Sequence, residues 1–336
     1  MTAVVDRVAL RHGAGGPVMR RLIEEVLLDR SSPAAAPLDD GAAIPIGDRW
    51  LIVTTDSHVI HPIVFPGGDI GRLAVCGTVN DLAMMGATEP LGLTCGMVIE
   101  EGFTIEALGL VSASMRRASA EAGTAIVAGD TKVMGRGEID GIVINTAGFG
   151  LARRVIGDCG LRPGDAVIVT GTLGDHGVAV MAARHELDLG EGVSSDVAPL
   201  NDLVRAALDA GGDGVVAMKD PTRGGLSSAL HEMAAKSRVS IRIDEPALPV
   251  RAGVRAAAEL LGIDPLFIAN EGKAVIGVRP DAAARVLAAV RAHPLGRDAA
   301  IIGWCFDAMP GTVVLDTGLG RRLVTEPDGE LLPRIC

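Results

Sequence analysis

Short apolar runs alternate with helix-length amphipathic segments along the whole chain, and glycine-rich joints separate them. This alternation restricts the fold more than any other feature, because strand and helix periods interleave in this way only in mixed α/β or α+β layers. Strands are expected at Trp50–Thr55, Gly96–Ile99, Ala125–Ala128 and Ile142–Ala147, and helices over 17–29, 69–86 and 104–122. In the first helix Pro17 suits the first turn, and Met19, Leu22, Ile23, Val26 and Leu27 share a face. The stretch 31–37 (SSPAAAP) reads as a loop. Gly157, Gly160, Pro163 and Gly164 mark the best domain boundary. Beyond it, strands are expected at Ala166–Thr170, 274–278, 299–303 and 312–316, and helices over 175–189, 197–210, 224–237, 251–261 and 280–292. The division that follows is 1–155, 156–318 and a polar, extended arm over 319–336. No repeat of fixed period is visible.

With 336 residues, the chain is long enough for two cores at roughly 150 residues each. Aromatics are only 2% of it, so those cores must be built from Ala, Val, Leu and Ile. The net charge of −11 argues against a general nucleic-acid or anionic-membrane binder, since both require a basic face. Mean hydropathy is +0.36, yet no window offers the ~18 uninterrupted apolar residues of a membrane span. The start MTAVVDRVAL has no basic region followed by an apolar run, so it does not read as a signal peptide, and a cytoplasmic location is expected. Five cysteines without a CxxC pair disfavour both a disulfide framework and a Cys-rich zinc site. Cys336 is the last residue; a prenylation box needs Cys at 333, where Pro stands.

Several motifs carry chemistry. His12-Gly13-Ala14-Gly15-Gly16 precedes a helix, where backbone N–H groups can meet an anion, although it is neither a Walker loop nor a dinucleotide fingerprint. Acidic residues recur beside apolar runs in Asp39-Asp40-Gly41, Thr55-Asp56-Ser57, Asn80-Asp81, Gly129-Asp130-Thr131 and Lys219-Asp220-Pro221. One such Asp is ordinary turn chemistry. Five clusters favour carboxylates that converge on a hard cation such as Mg²⁺, which in turn clamps phosphates. The run Asp220-Pro221-Thr222-Arg223-Gly224-Gly225 leads into a helix and suits a phosphate as well as it suits a plain helix start. Asn270-Glu271-Gly272-Lys273 precedes a strand, and Lys132 follows Gly129-Asp130-Thr131. His58, His61, His176 and His231 lack zinc spacing and read as structural or surface residues. Ser227 and Ser228 read as helix-start residues, and no GxSxG occurs.

Taken in order, HGAGG, DDGA, TTDSHV, NDLAMMGA, AGDTKV, DPTRGGL and NEGK resemble the ATP-binding superfamily of aminoimidazole ribonucleotide synthetase and selenophosphate synthetase. The ending Pro333-Arg334-Ile335-Cys336 narrows the resemblance to the HypE family of hydrogenase maturation factors. The resemblance implies a two-domain α/β (α+β) fold, with an N-terminal domain whose strands form a β-barrel across a homodimer and a C-terminal α/β domain. It implies a carbamoyl dehydratase. Cys336 accepts a carbamoyl group from HypF, ATP drives its dehydration to a thiocyanate, and cyanide passes to iron on a HypC–HypD complex for the [NiFe]-hydrogenase. It further implies Glu271 as base and Lys132 as polar catalytic partner. Mg²⁺ is then expected on some of Asp40, Asp56, Asp81, Asp130 and Asp220. ATP is expected on Gly13, Gly15, Gly16, Asn80, Thr131, Arg223, Gly224 and Gly225.

That chemistry is consistent with these residue types. Oxide is a very poor leaving group, so the amide oxygen must first be phosphorylated, and N–H protons must then be removed. A thiol at the end of an arm can visit both an internal site and an external donor. From Gly320 the arm reaches at most about 55 Å when extended. Pro327 and Pro333 keep it from becoming a helix. The terminal carboxylate should disfavour the Cys336 thiolate, with Arg334 as an offset. The other four cysteines are expected to be small core hydrophobes. Two other readings remain: a small-molecule kinase or synthetase of the same superfamily, and a non-enzymatic ATP-sensing scaffold. The first is disfavoured for a selenophosphate-type enzyme because no Cys precedes position 76.

Overall fold

A computed structural model describes residues 7–28, 38–187, 192–327 and 335–336. The loop expected over 31–37, the end of the helix expected over 175–189, and Pro333 and Arg334 lie outside the described residues.

The N-terminal half builds strands β1 (Ala42–Ile46), β2 (Arg49–His58), β3 (Val64–Phe65), β4 (Gly68–Asp69), β5 (Pro90–Glu100), β6 (Ile126–Met134) and β7 (Ile142–Ala152). Five of them form one sheet in the order β1-β2-β7-β5-β6, while β3 and β4 pair separately. All neighbours in the five-stranded sheet run antiparallel except β5 and β6. Their parallel pairing needs a crossover, supplied by helix α3 (Ile105–Glu121). Burial along β7 alternates strictly, so one face of the sheet meets the core and the other is only half covered. Helix α2 (Ile70–Met84) lies on the covered face. Asp69 starts it by accepting the N–H groups of Gly71 and Arg72 at 2.8 and 2.9 Å. Thirteen of its 15 residues are buried, because it is sandwiched between this sheet and the C-terminal half.

The C-terminal half forms a seven-stranded sheet from β8 (Ala166–Val169), β9 (Val215–Lys219), β10 (Ser240–Asp244), β11 (Val275–Val278), β12 (Ala300–Phe306), β13 (Val313–Asp316) and β14 (Arg321–Val324), in the order β14-β13-β10-β12-β8-β11-β9. Its helices are α4 (Asp175–Arg184), α5 (Asn201–Gly211), α6 (Gly225–Ser237), α7 (Ala252–Leu261) and α8 (Pro280–Ala292). β8 and β11 are buried throughout, since both sheet faces are covered. Val167, Val169 and Val275 pack with Leu226, Leu230 and Met233 of α6. Ile168 and Ile276 pack on the other side with Leu203 and Val204 of α5 and Val286 and Val290 of α8. Each such fully buried side chain contributes about 1.5–3 kcal/mol.

The expected mixed α/β architecture is present, with local differences. Helix α1 (Gly16–Leu22) is shorter than expected and runs into a wider π-type turn over Ile23–Leu27. Val26 and Leu27 there are exposed, so the expected apolar stripe is not buried within one chain. β6 continues through Asp130, Thr131 and Lys132, which were read as lying beyond a strand end. β1, β3, β4, β9, β10 and β14 were not expected. β14 carries two arginines because it is an edge strand, and it pairs with β13 from Val313↔Val324 to Asp316↔Arg321. Residues 321–324 of the arm expected over 319–336 are thus part of the sheet.

Candidate active site

A cleft of about 600 Å³ lies where the two halves meet, a volume suited to a small-molecule ligand. β2 supplies Val53 to Ser57, the loop before β1 supplies Asp39, Asp40 and Gly41, and α2 supplies Gly77 and Asp81. From the C-terminal half come Lys219 and Asp220 at the end of β9, Thr222 and Arg223 in the following turn, and Ser228 and Glu232 of α6. Gly15, Glu271 and Cys336 complete the wall.

Four of the five expected metal-ligand aspartates converge here: Asp40, Asp56, Asp81 and Asp220. Thr54 Oγ1 ties two of them together, 2.9 Å from Asp81 Oδ2 and 2.8 Å from the Asp40 carbonyl. Burial drives the Asp81 carboxyl well above its ordinary range, and the charges of Asp220, Asp56 and Asp40 add to this. Asp220 is pushed up to about 7 by burial and by Asp40 and Asp56, with Lys219 opposing. Asp56 goes the other way. Burial works against its charge, but His58, Arg223 and the Ser57 N–H outweigh it and hold the carboxyl at about 2. His58 Nε2 stands 3.1 Å from Asp56 Oδ2, so this histidine pairs with a cleft carboxylate and is not merely structural. Lys219 Nζ lies 2.6 Å from Asp40 Oδ1 and 3.2 Å from Glu232 Oε2. Burial opposes its charge, yet Asp40, Glu232 and Asp158 hold the ammonium well above its usual range.

This donor set fits a hard divalent cation. It is all carboxylate oxygen, and the mutual repulsion that raises Asp81 and Asp220 is what a bound cation relieves. Among the described residues no three of His, Cys, Asp and Glu form a finished cage. A hard cation that completes its shell with phosphate oxygens and water does not need three protein ligands.

Within the single chain Asp130, Thr131 and Lys132 lie apart from the cleft. They sit exposed on edge strand β6, where Lys132 Nζ pairs with Asp130 Oδ2 at 2.8 Å, and none of them lines the cleft. β6 is three strands from β2 in the sheet, about 14 Å at the usual strand spacing. Asn80 is a correction, since it does not line the cleft. It is buried, its amide donates to the carbonyls of Ala198 and Glu271 at 3.2 Å each, and its oxygen accepts the Leu200 N–H at 2.8 Å. With all its polar atoms committed, it positions the Glu271 turn and does not contact a ligand.

The glycines also divide. Gly15 lines the cleft; Gly16 faces an adjoining groove with Met19, Ile23 and Ala235. Gly13 is exposed and its carbonyl accepts from Arg223 Nη1 at 3.2 Å. Gly224 and Gly225 have φ of +76° and +62°, and a Cβ on Gly225 would strike the backbone of Leu266 and Ile268. The Gly225 N–H is donated to Thr222 O at 2.9 Å, so this pair shapes the turn that presents Arg223 and does not line the cleft.

Glu271 is 3% exposed. Its N–H donates to Asp196 Oδ1 at 3.1 Å, and the neighbouring Lys273 pairs with Asp196 at 3.2 Å. Asn270 braces the same turn by accepting the Gly174 N–H at 2.7 Å and donating to Pro221 O at 3.1 Å. Among the described residues the Glu271 Oε1 atom has no hydrogen-bond partner. Burial and then the charges of Asp220, Asp56 and Asp196 raise its carboxyl well above the ordinary range, against Arg223. A buried carboxyl raised in this way is a candidate for proton transfer. Cys336 closes the same space. Burial, followed by the Glu271 charge, pushes its thiol up, and Arg223 is the cation that opposes this. Arg223 takes the offsetting place expected of Arg334, which lies outside the described residues. Of the other cysteines, Cys76, Cys95 and Cys305 are buried as expected, whereas Cys159 is exposed.

Sequence reasoning missed Lys219, Glu232, His58 and Thr54. For Lys219 a signal existed: it is the one charge closing an otherwise apolar strand, directly before Asp220.

Residues 38–152 match the family described as AIR synthase related protein, N-terminal domain, and residues 162–316 match its C-terminal domain. Carbamoyl dehydratase HypE of Bradyrhizobium diazoefficiens is 48% identical over 338 residues, covering 98% of this chain and 96% of that protein. A crystal structure of a HypE–HypF complex superposes with a TM-score of 0.85 at 44% identity, covering 91% of this chain and 99% of the other. HypE in complex with ATP superposes at 0.83 with 42% identity, covering 97% and 99%.

Proposed function

The chain belongs to the HypE family of carbamoyl dehydratases within the AIR synthase related proteins, and from that premise we propose that it dehydrates a carbamoyl group carried on its own Cys336. The observation that carries this reading is the place of Cys336: the last residue of the chain lines the same cleft as Glu271, Arg223 and four aspartates.

The reaction begins with an S-carbamoyl group, Cys–S–C(=O)–NH₂, and ATP. The carbamoyl oxygen attacks the γ-phosphorus, the bond to ADP breaks, and one N–H proton leaves. The resulting S–C(=NH)–O–phosphate loses its remaining N–H proton and expels phosphate, leaving Cys–S–C≡N. ATP becomes ADP and phosphate, and the lost oxygen leaves on the phosphate. Glu271 is the base for the N–H protons, since it is buried, has no hydrogen-bond partner at Oε1 among the described residues and lines the cleft with Cys336. Arg223 stabilises negative charge developing on the transferred group. Mg²⁺ held by one or two of Asp40, Asp56, Asp81 and Asp220 would supply a Lewis acid for the phosphates and offset the negative charge that helps raise the Glu271 carboxyl. The raised thiol matters for the order of events. Cys336 is a poor nucleophile inside the cleft, so it takes up carbamoyl when undocked and returns as an uncharged thioester-like group that tolerates burial.

HypF is the donor that charges the tail, HypC–HypD the acceptor of cyanide for the [NiFe]-hydrogenase iron, and the cytoplasm the compartment that supplies ATP. Two copies would close the open N-terminal sheet into a barrel. This is supported by the exposed Val127 and Val133 on edge strand β6, and it would bring Asp130, Thr131 and Lys132 toward a cleft of the dimer.

Mass spectrometry of the C-terminal peptide after carbamoylation, with and without ATP, tests the proposal. The expected result is loss of one water that requires both ATP and Cys336. A carbamoylated tail that keeps its mass in the presence of ATP and Mg²⁺ would sink it.

A further inference from the structure

His176, the second residue of α4, is fully buried and has no part in the chemistry above. Its Nε2 lies 2.8 Å from the carbonyl oxygen of Ile335, and its Nδ1 lies 2.8 Å from Ser195 Oγ. Ser195 Oγ already accepts the Val197 N–H at 3.1 Å, which leaves its own proton to go to Nδ1. A neutral imidazole that accepts at Nδ1 must carry its proton on Nε2. Burial favours that neutral form, against Asp196 and the Ile335 carbonyl. The donor to Ile335 is therefore set by the serine one step behind it. Phe65 packs edge-on to the imidazole, with ring centroids 5.4 Å apart at 88°.

The tail meets this donor with an apolar plug. Ile335 is 5% exposed and belongs to the same buried cluster as Ile60, Phe65, Val178 and Val197. A longer contact, Val59 N–H to a terminal carboxylate oxygen of Cys336 at 3.4 Å, is the other backbone tie among the described residues. Both nitrogens of His176 are committed, so it is not a second base.

We propose that His176, oriented by Ser195, is a latch that seats the terminal Ile335-Cys336 dipeptide and so positions the Cys336 sulfur beside Glu271. His176 is a positioning residue, and the inference rests on reading Cys336 as the carrier. One oriented hydrogen bond and one buried side chain favour docking while still allowing release, which a shuttling arm requires.

The test is the alkylation rate of Cys336 by iodoacetamide in the full-length protein, read on the C-terminal peptide by mass spectrometry. Undocking exposes the thiol, so His176→Leu should speed alkylation about tenfold, the effect of losing one buried hydrogen bond. His176→Gln keeps a donor near the Nε2 position and should stay within about twofold of wild type. Ser195→Ala removes the tautomer setting without touching the tail. It should speed alkylation about threefold, and it serves should the leucine variant fail to fold. Equal rates for the leucine and glutamine variants, or an unchanged rate in both His176→Leu and Ser195→Ala, would overturn the latch. Water loss from the carbamoylated tail is measured in parallel. If alkylation responds as expected while the wild type loses no water, the latch stands and the carbamoyl chemistry falls.

Discussion

On β2, Asp56 follows Thr54 and Thr55 into a cleft roofed by the C-terminal half; on β6, Asp130 precedes Thr131 and Lys132 in open solvent. Both carboxyls are lowered, Asp56 by His58 and Arg223 against burial, and Asp130 by its hydrogen bond and ion pair with Lys132. The same direction of shift has different consequences. Around Asp56 the charges are desolvated, so Asp81, Asp220 and Glu271 feel one another strongly. Around Asp130 water and salt screen the pair, and the further support of the carboxyl is the Thr131 N–H at 2.9 Å. A chain that concentrates its electrostatics in one place can do proton transfer there. Its edge strand can act only if something covers it.

The comparison can be broken most directly at Glu271. Glu271→Gln should slow single-turnover dehydration by about 10²–10⁴-fold while ATP binding persists, measured by phosphate release and by a nucleotide titration. Unchanged turnover would remove Glu271 from the base role. Next is the edge strand itself. If a second copy covers β6, Lys132→Ala should lower dehydration by about 10²-fold. Mixed dimers of Lys132→Ala and Glu271→Gln chains should then recover part of the activity. A silent Lys132→Ala would leave the edge as plain surface.

A smaller effect concerns stability. Behind the cleft Asp158 is buried against Asp39, Lys219 and Lys236 and is raised to about 7, first by burial and then by Asp39. Its ordinary value is 3.8, so between about pH 4 and 7 the folded state holds a proton that the unfolded state has lost. Stability from this group therefore falls as pH rises through that window. Asp158→Asn should gain a few degrees in Tm over wild type at pH 8 and nothing at pH 4, as followed by thermal melts. No pH dependence in the difference would mean the aspartate is ionised throughout. The smallest effect belongs to the edge: Asp130→Asn should leave the Tm unchanged at both pH values, because an exposed ion pair adds little to stability.

The convergence of Asp40, Asp56, Asp81, Asp220, Glu271 and Cys336 was legible in the sequence because each sits in a short motif whose order matches a known family. Asn80 and Gly225 were assigned to ligand contact on the same grounds, yet their polar groups are used inside the protein. Nothing local distinguishes an amide that meets a ligand from one that meets the Glu271 carbonyl 191 positions away. His176 was passed over because its partners, Ser195 and Ile335, lie 19 and 159 positions along the chain.

By itself, the sequence determined the α/β alternation, the family and the residue types of the site, because periodicity, glycine punctuation and motif order are local properties. Tertiary structure alone decided which like residues share a cleft, which carboxyls repel one another into raised protonation and what holds the tail. Desolvation and Coulomb energy depend on distance in space, and the chain folds positions more than two hundred residues apart into contact.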